Sequence, residues 1–89
     1  MSLYSLQKLI RDVNFDPGLR AEFMADAAAV ASRYELAEEE RAALIMRDWA
    51  ALYRLGVHGL LLRPFSILHQ VSEPDYLRAI RGARQEVAS

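Results

Sequence analysis

Residues 55–71 read LGVHGLLLRPFSILHQV, and this stretch decides the fold. Apart from Arg63 and Gln70 it is apolar or weakly polar, it opens on Gly56 and Gly59, and it carries Pro64 near its middle. A helix hydrophobic all the way round cannot lie on a surface and needs neighbours on most sides. At roughly 17 residues, with an arginine and a proline inside, the segment is marginal for a bilayer span and reads as a buried core helix. Pro64 cannot donate to the carbonyl of Leu60, which predicts a kink or a division into two short helices.

Immediately upstream, the spacing predicts the longest helix, about Ala37 to Leu55. Glu38, Glu39 and Glu40 fall in its first turn, where negative charge meets the positive end of the helix dipole, and they read as a solvated turn. Ala42, Ile45, Met46, Trp49, Leu52 and Tyr53 share one side, and Arg47 and Arg54 face away. Asp48 breaks the division, because it projects toward the apolar side between Leu44, Leu52 and Leu55. A carboxylate there needs partners. Gly56 is expected to end the helix in a left-handed conformation. The amides of Val57 to Leu60 and the ring of His58 would then be within reach, so Asp48 and Gly56 are read as the structural brace of this corner.

Farther out, Leu3, Leu6, Leu9, Ile10 and Val13 mark a first helix with Ser2 available as N-cap, closed by Asn14. Asp16-Pro17 opens a second, with Leu19, Phe23, Ala27, Val30 and Tyr34 as its inward stripe. After the central segment, Ser72-Glu73-Pro74-Asp75 resembles a capping box. Tyr76, Leu77 and Ile80 give the last helix its inner face, Arg78, Arg81 and Arg84 its outer one. The tail 83–89 is expected to fray. The fold class is therefore all-α, about five helices around a buried, Pro-kinked central helix, in a single domain over residues 1–89.

Composition narrows the function. With 53% hydrophobic and 26% charged residues the chain is globular, and a net charge of −1 supplies no field for nucleic acid or an anionic membrane. The absence of cysteine removes disulfides, thiol catalysis and thiolate metal sites. The N-terminus lacks a basic leader followed by an apolar run, so a cytoplasmic location is expected. A single small core without staples often gains stability through oligomers or partners.

No catalytic set and no metal site emerges from the residues. His58 and His69 are about three helical turns apart, roughly 16 Å by rise, too far to share an ion. The Ser66/His69 pair lacks a third member, and Gly56 and Gly59 lack the third glycine and preceding strand of a phosphate loop. As a helix-turn-helix, the second helix would show base edges Leu60, Leu61, Leu62, Phe65 and Ile67, which cannot read them. The stripe of Arg78, Arg81 and Arg84 reads as a solvated face.

One likeness stands out. From about Leu36 to Gly82, LAEEERAALIMRDWAALYRLGVHGLLL followed by VSEPDYLRAI resembles the small (alpha) subunit family of protocatechuate 4,5-dioxygenase. Leu36 with its acidic turn, Ala43-Leu44, Asp48, Gly56 with a polar residue two places on, and Ser72-x-x-Asp75-Tyr76 carry it. The resemblance implies an orthogonal helical array. It also implies that iron(II), its ligands and the catalytic base belong to a larger partner subunit, with this chain as a non-catalytic accessory that covers the active site of an extradiol ring-cleaving enzyme. His58, Arg63 and Phe65 are then the candidates for facing the partner or its substrate. The family's subunit carries extra residues between its central helix and the equivalent of Ser72, so a contact borne on that loop has no counterpart. Family domains also occur as leader regions of ribosomally made peptides, for which the tail GARQEVAS is a poor core. The other open reading is a free-standing interaction module or homo-oligomer that shares the fold without dioxygenase function.

Overall fold

The computed structural model describes the backbone of residues 2–88 and the side chains of residues 3–84. Within these residues the chain is all-α, with no strand. The helices are α1 (Ser2–Phe15), α2 (Pro17–Ala25), α3 (Ala27–Ala31), α4 (Glu38–Ile45), α5 (Trp49–Arg54), α6 (Gly59–Leu68) and α7 (Glu73–Ala88). Their principal packings are α5 on α7 and α1 on both α6 and α2. Leu6, Leu9, Ile10 and Val13 of α1 are fully buried and meet Phe23, Leu44, Leu52, Leu62 and Phe65 in one core.

Among the described residues seven helices stand where about five were expected, because two aspartates divide two of them. Asp26 ends α2, its backbone N–H donating to the Glu22 carbonyl at 2.9 Å, and starts α3, its Oδ1 accepting from the Ala29 N–H at 3.1 Å. A side chain that offers the backbone this alternative competes with helix continuation. Asp48 does the same between α4 and α5. Its Oδ1 accepts from the Ala51 N–H at 3.0 Å, and the residue is exposed. The buried position expected for Asp48 therefore does not occur. The donors it was to brace are held by others: the Val57 N–H by the Leu52 carbonyl, that of His58 by Gln7 Oε1, and that of Leu60 by His58 Nδ1. Asp48→Ala is expected to cost about 0.5–2 kcal/mol through loss of this cap. A urea midpoint equal to wild type would reject it.

The same break turns Ile45 and Met46 outward, Met46 to 78% exposed, although helical spacing had placed them inside. Three helix ends share one closure. After α4, Arg47 (φ +55) lets the Asp48 N–H reach the Ala43 carbonyl at 2.9 Å; after α5, Gly56 (φ +106) lets Val57 reach Leu52 at 3.1 Å; after α6, Gln70 (φ +61) lets Val71 reach Ser66 at 3.1 Å. This is the Schellman arrangement, in which a left-handed residue satisfies carbonyls that the helix leaves orphaned.

N-termini follow local chemistry. Asp16 Oδ1 accepts from Gly18 and Leu19 at 3.0 and 3.2 Å with Pro17 behind it. Ser72 Oγ accepts from the Asp75 N–H at 3.3 Å. At α4 only half a capping box forms, since Ala37 has no side-chain acceptor. Glu40 turns inward, is buried, and accepts from the Ala37 N–H at 2.7 Å, so it is not part of a solvated turn. Ser2 is the first residue of α1, which runs past Asn14 to Phe15, and its side chain lies outside the described residues. Where the tail was expected to fray from residue 83, the backbone of α7 continues through Gly82 to Ala88 and Ala83 is buried; the side chains past residue 84 lie outside the described residues.

Candidate functional site

The central helix α6 is only half sheathed. Leu62, Phe65 and Ser66 are fully buried, but Leu60 is 80% and Ile67 55% exposed, with exposed Pro64 between them. Hydropathy alone made this helix look enclosed. The spacing 60/64/67 is one face of a helix, and Pro64 itself favours an open side, since the Leu60 carbonyl it leaves unpaired needs water or a donor.

At the head of α6, His58 is exposed and is the N-cap residue. Its backbone N–H donates to Gln7 Oε1 at 2.9 Å, tying the helix start to α1. Its Nδ1 accepts from the Leu60 N–H at 3.1 Å, which assigns the ring proton of the neutral form to Nε2. His58 thus keeps a ring donor beyond the cap.

Arg63 and Phe65, grouped with His58 from the sequence, are not brought to the same surface. The Arg63 guanidinium folds back: Nη1 donates to Ser66 Oγ at 3.0 Å and to the Val71 carbonyl at 3.4 Å, and the guanidinium carbon lies 5.0 Å from the centre of the Tyr76 ring. Ser66 returns its hydroxyl proton to the Arg63 carbonyl at 2.7 Å. The group latches α6 to α7. Burial raises the Tyr76 phenol above its ordinary pKa, opposed by the charge of Arg63. Phe65 is wholly inside, its ring 5.6 Å from Phe23, 5.8 Å from Trp49 and 4.7 Å from His69 between centroids.

His69 ends α6 within this aromatic cluster, its Nδ1 2.8 Å from the Phe65 carbonyl. A carbonyl only accepts, so Nδ1 carries the proton, the tautomer opposite to that of His58. Burial lowers the His69 pKa; the Phe65 carbonyl opposes the shift and Arg47 adds to it. The folded state therefore prefers the neutral ring. Its contribution to stability is complete above the ordinary histidine pKa of about 6.5. It is lost as pH falls through the lower folded value. Melting temperatures at pH 7.5 and 5.5 are expected to differ more for wild type than for His69→Phe, and equal differences would reject this account.

On α1 the outward stripe is Tyr4, Lys8, Arg11 and Phe15, with Tyr4 69% and Phe15 76% exposed. It adjoins α6 across a shallow groove of about 450 Å³ walled by Tyr4, Gln7, Lys8, Arg11, Asp12 and Leu61. Asn14 Nδ2 donates to the Leu61 carbonyl at 3.1 Å and fixes the seam. On the far edge, Asp12 Oδ2 accepts from the Tyr34 hydroxyl at 2.8 Å; burial first and this bond second push Tyr34 up to about 12. A larger depression, about 680 Å³, lies along α7, but every residue described in its lining belongs to that one helix, and no set of polar groups converges there.

Iron finds no donor set here. Among the described residues no three His, Asp or Glu side chains lie together as metal ligands, and both histidines have Nδ1 committed to hydrogen bonds. Nor, among them, is any helix long and apolar enough to cross a membrane. No curated protein and no solved structure matches the chain. A family model does: that of the aromatic-ring-opening dioxygenase LigAB, LigA subunit, matches residues 6–87, so it takes in α1 and α2 as well as the Leu36–Gly82 stretch whose motifs carry the likeness. With residues 6–87 covered, which takes in most of α1, all of α2 to α6 and nearly all of α7, the chain belongs to the LigA subunit family of aromatic-ring-opening LigAB dioxygenases.

Proposed function

We propose that this chain is the non-catalytic small subunit of an extradiol ring-cleaving dioxygenase, seated over the active site of a larger, iron(II)-binding subunit of LigB type. The observation that carries the proposal is the family match over residues 6–87. Iron(II), in the large subunit, supplies the oxygen chemistry. This chain's part is to cover the bound catechol and exclude water, which strengthens every electrostatic interaction inside the closed site. Two features support that division. The described residues of this chain do not fit an iron site, and its half-exposed α6 presents apolar side chains with one imidazole donor, His58, at their edge. Arg63 serves the same surface from behind, by holding α6 against α7. The assembly is cytoplasmic and acts in aromatic catabolism.

Reconstitution tests the proposal. The large subunit is purified alone and mixed with this chain, and catechol ring opening is followed together with co-elution. A stable complex with several-fold higher kcat/KM than the large subunit alone is expected. No complex and no change in rate, with the chain running as a homodimer, would establish the free-standing module instead.

A further inference from the structure

The first turn of α6 hangs on a single residue. The His58 carbonyl accepts from the N–H groups of Leu61 and Leu62 at 2.9 and 3.0 Å, and its ring Nδ1 accepts from the N–H of Leu60 at 3.1 Å. The Leu60 N–H is one of the donors that a helix start leaves without a backbone partner, so the imidazole is what satisfies it. Little else packs on this turn. Gly59 has open space where a Cβ would stand, Leu60 is 80% exposed, and full burial begins only at Leu62. The His58 N–H is tied to Gln7 Oε1 at 2.9 Å, so the backbone of this residue stays anchored to α1 whatever its ring does.

A histidine in this place differs from the aspartate caps of α2, α3 and α5, because its acceptor is a lone pair that a proton can take. The imidazolium donates from both nitrogens and accepts at neither. It would also set positive charge against the positive end of the helix dipole. Among the described residues no carboxylate bonds to the ring and holds the charged form in position. Helices α1, α5 and α6 pack together around this corner, and their charged side chains are Lys8, Arg11 and Asp12, Arg54, and Arg63, with the phenols Tyr4 and Tyr53. Asp12, the carboxylate among them, is engaged by the Tyr34 hydroxyl at 2.8 Å and by Lys8 at 3.5 Å, and the other four are cations. The second proton therefore costs α6 its cap, and the exposed ring can swing into water.

We propose that His58 is a proton-operated cap: its neutral imidazole closes the first turn of α6 and its imidazolium releases it, so that mild acid opens residues 59–60 while the core from Leu62 onward stays closed. The device belongs to the fold and holds with or without a large subunit. Nuclear magnetic resonance of the full chain tests it. At pH 7.5 the His58 ring should carry its proton on Nε2. As the pH is lowered, the Leu60 amide resonance should move along the same curve as the His58 ring, and it should stay still over that range in His58→Ser, whose hydroxyl accepts whether or not protons are plentiful. Thermal melts add a readout that a nearby charge alone would not give. In a His69→Phe background, which removes the other imidazole, the melting temperature gained by His58→Ser is expected to grow by about 4 °C between pH 7.5 and 5.5. The loss caused by His58→Ala should shrink over the same interval. A His58 ring protonated on Nδ1 at pH 7.5 overturns the proposal. So does a Leu60 amide indifferent to the titration of His58, or a gain from His58→Ser that is equal at the two pH values.

Discussion

Truncation of Phe65 to alanine is expected to lower the unfolding free energy by about 3–5 kcal/mol, a large share of what a small domain possesses. The ring is 0% exposed and packs at 4.7–5.8 Å between centroids against His69, Phe23 and Trp49, which come from α2, α5 and the end of α6. Removing it opens a cavity where three elements meet, and none of the three can collapse inward without leaving the others. Phe65→Leu keeps most of the volume and is expected to cost about 1–2 kcal/mol. The pair also separates packing from recognition. Urea melts of both variants, set beside titration into the large subunit, should show Phe65→Leu binding normally. A Phe65→Leu chain that folds as wild type does yet binds poorly would return this residue to the interface.

Gly56→Val is the second substitution with a large expected cost, about 2–3 kcal/mol. Gly56 sits at φ +106 and closes α5, its own N–H donating to the Tyr53 carbonyl at 3.0 Å. A β-branched residue resists that backbone conformation, and any Cβ here would stand 3.2 Å from Cδ2 of Leu3. The two causes can be told apart. Gly56→Ala should lose less than Gly56→Val, and Leu3→Ala in the alanine background should relieve the contact but leave the backbone strain. If Gly56→Ala melts with wild type, the left-handed closure is not costing what the geometry requires.

These two residues also show what the sequence could and could not reveal. Gly56 was legible because a glycine after a periodic apolar run is the commonest way to satisfy a helix end. Asp16-Pro17 and Ser72 were legible for the same reason: their partners lie within three residues. Arg47 and Gln70 adopt the same left-handed turn without glycine, so no residue type announced them, and the long helix expected from Ala37 to Leu55 breaks at the first. Asp26 and Asp48 were ambiguous, since an aspartate in a periodic stretch reads equally as a mid-helix acid or as the cap of a new helix. Hydropathy could say that residues 55–71 are apolar but not which of them face water. Leu60 and Leu62 are chemically identical, yet one is 80% and the other 0% exposed. The Arg63 latch depends on Tyr76, thirteen positions away, which is why the guanidinium looked free for a partner.

The shortness of the helices reaches beyond architecture. α3 has 5 residues, α5 has 6 and α4 has 8. Segments that brief do not persist alone in water, because nucleating a turn costs more than so few bonds return. None of these three helices is expected to keep its form when cut from the rest of the chain. Amide protons in α3 and α5 should accordingly exchange with solvent only when the entire molecule opens, all at nearly one rate. Anything that binds the folded state will slow that exchange even in helices it never touches.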